Sequence, residues 1–406
     1  MERYINSFAT ENDIQTALEN GELLKPYVAY IEDVDRIDWN SKEIVDYTTE
    51  YLTFNILSAG TINWTASKTD VTKTIDYKLN NGEWVSITSN TGSSAPTITV
   101  SSGDKLQFRG NNTQYATSYS NYNSFSGSAS FEVEGNIMSL IYGDNFKNNL
   151  TISSTYALAG LFKNCTKLVS SKNLVLPATT LASQCYYEMF YGCTSLTTAP
   201  ELPATTLANN CYYGMFQNCK SLTTAPELPA EILAYGCYYR MFNGCTKLTT
   251  APALPSTTLA NSCYKEMFYN CASLTTAPAL PATTLTDGCY CEMFYGCTSL
   301  TTAPELPATT LANNCYESMF RGCIKLTSAP VLPATTLVYW CYNNMFRDCT
   351  NLNYIKCLAT NISATDCTYN WVDGVASTGT FVKNPNMTSW TTGKNGIPNG
   401  WTVQDA

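Results

Sequence analysis

The chain contains no histidine. That removes the usual general base, the proton shuttle and the commonest metal ligand together, and leaves carboxylates to carry any acid–base chemistry. Charge is scarce as well: only 14% of the 406 residues are Asp, Glu, Lys or Arg, well below the usual quarter. The polar surface must therefore be Thr, Asn, Ser and Tyr. Basic residues are the minority, 23 against 32 acidic, for a formal net charge of -9. An acidic surface repels phosphate backbones and anionic headgroups, so neither nucleic acid nor a membrane surface is expected as a partner. No run approaches the roughly 18 apolar residues that a membrane span needs. The opening MERYINSFATENDIQTALENG has no apolar core of the signal-peptide kind. The expectation is synthesis in the cytosol and release by lysis.

What the chain has is a repeat. Cys185, Cys211, Cys237, Cys263, Cys289, Cys315, Cys341 and Cys367 stand 26 residues apart, and Cys193 to Cys349, Phe190 to Phe346 and Leu196 to Leu352 keep the same step. One unit reads CTSLTTAPELPATTLANNCYYGMFQ. A looser copy holds Phe162, Cys165 and Leu168, and a worn one puts Trp371 and Val372 where the Met-Phe pair stood. Atypical end copies are what capping requires. A period of 26 lies within the leucine-rich-repeat range of about 20–29. The predicted architecture is an α/β solenoid, one coil per unit. In each coil, residues 196–202 are extended and residues 206–216 return as a short helix or 3₁₀ turn, with Leu207, Cys211, Met215 and Phe216 inward. The proline column, Pro200 to Pro330, donates no amide hydrogen, so the parallel ladder should be only a few residues long.

Eighteen cysteines invite disulfide or zinc readings. Zinc is disfavoured by the missing histidine and the absence of a C-x2-C pair. Equivalent cysteines in neighbouring coils would be close enough to bond. A periodic column is also how small buried apolar residues look, and free buried thiols are expected. Cys291 stands where other units carry Tyr, Lys, Glu or Asn, so it is the expected exposed thiol.

Four regions follow. Residues 1–45 read as an N-terminal anchoring segment, with a helix over 10–21, an extended stretch over 27–34 and a polar linker over 35–45. Residues 46–135 alternate with period two, as in Leu52, Phe54 and Ile56, and carry the turn Asn80-Asn81-Gly82. They predict an antiparallel, Ig-like β-sandwich, with residues 110–127 as an exposed loop. Residues 136–358 form the repeat region, whose first coil is sealed by residues 137–142. Residues 359–406 are a C-terminal cap.

Columns that recur in every unit are structural; columns that vary face solvent and can carry recognition. Tyr187, Tyr213 and Tyr239 fall in one varying column, and Tyr191, Tyr269 and Tyr295 in another. These six are the candidate ligand-binding residues, because tyrosine offers a flat apolar ring with a polar tip suited to sugars or a protein partner. Such rings can equally serve only to cover the outer limb. A third varying column holds Glu201, Glu227, Ala253, Ala279, Glu305 and Val331. Paired carboxylates can hydrolyse glycosides, but these are repeat-spaced and imply no pocket. No catalytic residue, metal site or cofactor is expected.

The unit MFYGCTSLTTAPELPATTLANNCY resembles the BspA-like leucine-rich repeats of gut Bacteroidales and their phages, over about residues 137–401 including GTFVKN and NGIPNGW. That family includes cell-surface adhesins and carries no catalytic residues. The stretch YVAYIEDVDRIDWN is similar to the leader of virion proteins in Bacteroides phages, crAss-like ones among them. The resemblance implies a virion protein, a head or tail fibre, that is anchored to other virion proteins through residues 1–45, is homo-oligomeric, and touches host or mucus glycan or protein. The alternative it leaves is a bacterial cell-surface adhesin.

Overall fold

The computed structural model describes residues 46–406 and, ahead of them, a parallel pairing of β1 (Ser7–Phe8) with β2 (Tyr30–Ile31). The expected anchoring segment, with its helix over 10–21 and its linker over 35–45, otherwise lies outside the described residues. The first part of the described chain is strand: β3 (Leu52–Ile56), β4 (Gly60–Ala66), β5 (Thr74–Leu79), β6 (Val85–Thr88), β7 (Thr97–Val100), β8 (Lys105–Arg109), β9 (Ala116–Ser118), β10 (Asn121–Gly127) and β11 (Phe131–Asn136). Period-two alternation puts Phe54, Phe108 and Phe131 on one inner face, and Trp64 and Phe125 on the other. Phe54 meets Phe108 at 4.8 Å and Phe125 at 4.9 Å between ring centroids.

Residues 110–127 are not an exposed loop. β10 is one of the two inner strands of the sheet ordered β7-β4-β10-β9, and Asn123 within it is buried. Its polarity is satisfied: the amide donates to the carbonyls of Val71 at 2.7 Å and Tyr115 at 2.8 Å, and its oxygen accepts from the Ser89 hydroxyl at 2.5 Å. A buried amide with all its partners is stable where an unpaired one would not be. Composition alone cannot distinguish that arrangement from a solvated loop.

The second sheet runs β12-β11-β3-β8-β5-β6, and β12 (Leu168–Val175) belongs to the first repeat copy. β11 pairs with β12 in parallel, so the strand-rich part and the repeats share one sheet. They share a core too, since Phe162 contacts Phe54 at 5.9 Å, Phe125 at 5.7 Å and Phe190 at 5.3 Å.

The helical limb expected in each coil is absent. Among the described residues the only α-helix is α1 (Ser139–Tyr142). The return limb is a ribbon of tight turns in which every fourth residue takes positive φ, as at Gln184, Glu188 and Gly192, then Asn210, Gly214 and Asn218. The backbone donors alternate. Cys185, Tyr187, Met189 and Tyr191 each close a turn onto the carbonyl three residues back, while Tyr186, Glu188, Phe190 and Gly192 donate to the next coil at 2.8–3.0 Å. A helix would spend every donor within the limb and leave none to join the coils. The four-residue turn still brings Cys211, Met215 and Phe216 inward, all at 0% exposure. The inward residues therefore came out as expected while the backbone did not.

The opposite limb is joined more sparsely. Single parallel bridges such as Thr224 with Thr250 and Thr250 with Thr276 replace a ladder. Through the proline column, Pro200 and Pro203 have no amide hydrogen to donate to a neighbouring coil. Cohesion comes from packing. Phe190, Phe216, Phe242, Phe268, Phe294, Phe320 and Phe346 form one stack with centroids 5.4–5.8 Å apart, and Tyr186 through Tyr316 form a second at 5.6–5.9 Å.

All eighteen cysteines are buried free thiols. Cys291, expected to be exposed, is 1% exposed: its side chain is short, it lies among Lys265, Glu266, Glu292 and Glu317, and its thiol reaches Glu317 at 3.7 Å. The second cysteine column has a specific role: Cys219, Cys245, Cys271, Cys297 and Cys323 each donate S–H to the carbonyl of a phenylalanine in the preceding coil at 3.1 Å. At the far end β13 (Tyr354–Cys357), β14 (Thr380–Lys383) and β15 (Thr402–Asp405) form a parallel sheet. There Trp371 stacks on Trp390 at 5.6 Å.

Candidate binding face

The positive-φ ribbon decides which side chains leave the core. Cys, Tyr, Met and Phe of the repeat pattern point in, and Tyr187, Glu188, Tyr191 and most of their equivalents lie on the outer limb, where Glu266, Cys291, Ser318 and Asn343 are buried among their neighbours. All six candidate tyrosines are half-buried on this outer limb. Tyr187 and Tyr213 stack at 4.5 Å, and Tyr213 meets Tyr239 edge-on at 4.8 Å. In the next two coils, Tyr269 and Tyr295 stack at 4.4 Å. Tyr191 lies apart from both groups, under the Lys163 ammonium at 5.2 Å.

These rings are not free platforms. They stack along the coil axis, and cations cover further faces: Arg240 at 5.0 Å and Lys265 at 5.6 Å over Tyr239, and Arg321 at 5.3 Å over Tyr295. What faces outward is a row of ring edges and hydroxyls.

Spacing did not single out the column that ties the groups together. Glu188, Arg240, Glu266 and Glu292 occupy positive-φ positions, where Gly214, Ser318 and Asn344 stand in other coils. Glu266 is the hub. Its carboxylate accepts from Arg240 Nε at 2.8 Å and Nη2 at 3.1 Å, from the Tyr239 hydroxyl at 3.0 Å and from Asn243 at 3.4 Å. Arg240 Nη1 also donates to the Tyr213 hydroxyl at 3.3 Å. Lys163 and Glu188 form a second pair at 2.5 Å. Burial holds the Tyr269 hydroxyl up at about 12, with Tyr295 adding to it. Burial also raises Glu292, and the neighbouring Glu266 raises it further. The signal for this column was present in the sequence, as charged residues at positions where the repeat otherwise places glycine or small polar residues.

A family model describing BspA-type leucine-rich-repeat regions matches six copies over residues 159–291 and 288–370, just over half of the chain. The chain belongs to the BspA-type leucine-rich-repeat family. No curated protein matches it. The helix-poor coils of this BspA-type chain, behind a strand-rich first part, agree with that membership.

The acidic column on the opposite limb needs correcting. No pocket was expected there, yet Glu201 and Glu227 line one cleft of about 400 Å³ together with Pro200, Pro203, Pro226 and Pro229. The proline column opens it by removing the bonds that would draw those segments together. The same cleft at Ala253 and Ala279 has no carboxylate. Among the described residues no group of His, Cys, Asp or Glu is arranged to hold a metal ion. Nor is any described helix long and apolar enough to cross a membrane.

Proposed function

We propose that this chain is an adhesion protein whose coils stack as a solenoid and display the tyrosine-rich face to a host-surface or mucus glycan or protein. One observation carries the reading: varying residues of three successive coils, Tyr213, then Tyr239 and Arg240, then Glu266, are joined by hydrogen bonds into one fixed polar cluster. Pre-ordered side chains lose little freedom on binding. Because the ring faces are occupied, contact falls to hydroxyl edges and pinned charges, which favours hydrogen bonding over ring stacking. The reading invokes no catalytic residue, cofactor or metal.

We place the protein on a phage particle, as a homo-oligomeric head or tail fibre held to other virion proteins through residues 1–45. The support is the stretch YVAYIEDVDRIDWN and its likeness to virion leaders. Mass spectrometry of purified particles from a lysed infected culture tests this placement. Stoichiometric recovery in particles is expected. Recovery in the bacterial envelope instead would overturn it in favour of a cell-surface adhesin, the reading that family membership alone would suggest.

A further inference from the structure

The corner between the limbs reads Ser-Gln, Asn-Asn, Tyr-Gly, Asn-Ser, Asp-Gly, Asn-Asn and Thr-Asp in most coils, and two copies put a bulky aromatic at its second place. In one of them, Tyr339 and Trp340 take those two places. Trp340 sits at φ 56, in the left-handed region, in a column otherwise filled by Gln184, Asn210, Gly236, Ser262, Gly288, Asn314 and Asp366. The first copy puts Tyr156 there, with its ring edge-on to Tyr187. A bulky side chain at positive φ is strained, and such strain persists where function holds it.

Packing does not account for the tryptophan. Val338 packs against the core, but Trp340 does not. Its indole N–H is buried without a hydrogen-bond partner, a further cost. Nor does an aromatic at the preceding position require it, since Tyr235 is followed by Gly236. What Trp340 does is support Tyr339: the rings stack at 5.3 Å and 15°. Tyr339 is 44% exposed, and Trp340 is the one ring stacked on it among the described residues, whereas the tyrosine face is half-buried. Backbone bonds run from Asn314 to Tyr339 and from Trp340 to Thr365. They set exposed Asn313 on one side of the pair and exposed Thr365 and Asp366 on the other.

We infer that Tyr339 and Trp340 form a carbohydrate-binding platform, on which a pyranose ring lies against Tyr339 while Asn313, Thr365 and Asp366 bond its hydroxyls. An exposed aromatic ring flanked by an amide, a hydroxyl and a carboxylate suits a neutral hydroxylated ring. This site is separate from the tyrosine face and stands whether or not that face binds.

The test applies the full chain and its variants to an array of immobilised neutral and N-acetylated oligosaccharides, with melting temperature measured in parallel. Trp340→Asn and Tyr339→Asn restore residues the repeat itself uses at those positions, so both should fold. Each is expected to lower glycan binding at least tenfold. Trp340→Asn should also raise the melting temperature, by about 1–3 °C, as strain is released. Wild type that binds no sugar on the array, binding that survives Trp340→Asn, or a lowered melting temperature in that variant would each overturn the inference. Glycan binding lost only on substituting Tyr191, Tyr269 and Tyr295 would overturn it too, while leaving the tyrosine-face reading intact.

Discussion

Burial acts on single residues here in a way that reaches the whole stability curve. The thiols of Cys245 and Cys297 are pushed up to about 12 by desolvation, whereas an unfolded chain ionises thiols from about pH 8.5. Between those values the folded state holds protons that the unfolded state has lost. Stability is therefore intact below about pH 8.5 and falls as pH rises toward 12, by up to ~1.4 kcal/mol per pH unit for each such thiol. The urea midpoint should drop steeply between pH 8.5 and 10.5. A midpoint unchanged over that range would show that the thiols are not buried as described. At neutral pH the native protein should react with almost none of its eighteen thiols, and the unfolded protein with all of them. Cys245→Ala removes the S–H donated to Phe216 and leaves a small cavity, so a loss of about 1–2 kcal/mol is expected in denaturant titration.

The ribbon of turns is where sequence reasoning and structure part company at the level of the element. Spacing of about four between Leu207, Cys211, Met215 and Phe216 is shared by a helix and by a four-residue turn, so the buried set was legible and the backbone was not. The distinguishing signal lay in another column: Asn164, Gly192, Asn218, Gly244, Asn270, Gly296 and Gly322 all take positive φ, and Asn and Gly are the residues that do so at least cost. The Asn218 amide oxygen lies too close to where a β-carbon on Gly244 would stand and must turn aside, whereas a β-carbon on Gly322 meets no atom closer than 3.8 Å. Gly244→Ala should therefore lower stability by about 2–3 kcal/mol and Gly322→Ala by only about 1 kcal/mol. Equal losses in thermal melts would mean that backbone conformation alone sets the cost. Arg240 and Glu266 were illegible for a related reason. Charged residues at left-handed positions look like noise until the neighbouring coil supplies a partner from 26 residues away.

The whole molecule is continuous from β11 into the repeats, through a shared sheet and the shared Phe54, Phe125, Phe162 and Phe190 cluster. Hydrophobic alternation made the strands of residues 46–135 legible. Their merger with the first coil was not, because a parallel partner leaves no local signature. Removing residues 46–135 takes away Phe54 and Phe125, and should uncover Phe162 beneath them and give an aggregating chain. Excising one whole internal unit, residues 245–270, should leave a folded protein, since each coil contacts chiefly its neighbours. Limited proteolysis and size-exclusion chromatography compare the two deletions, and a soluble product from the first would show that the repeats cap themselves.

The claim that the outer face is a recognition surface is most directly tested by binding of the full chain to a mucin-coated biosensor. The comparison is a variant carrying Tyr191→Gln, Tyr269→Gln and Tyr295→Gln, glutamine being the residue that Gln217 already places in that column. At least a tenfold loss of affinity is expected, with the melting temperature held within a few degrees. Unchanged affinity in a folded variant would contradict the account and leave those tyrosines as a covering for the coils beneath them.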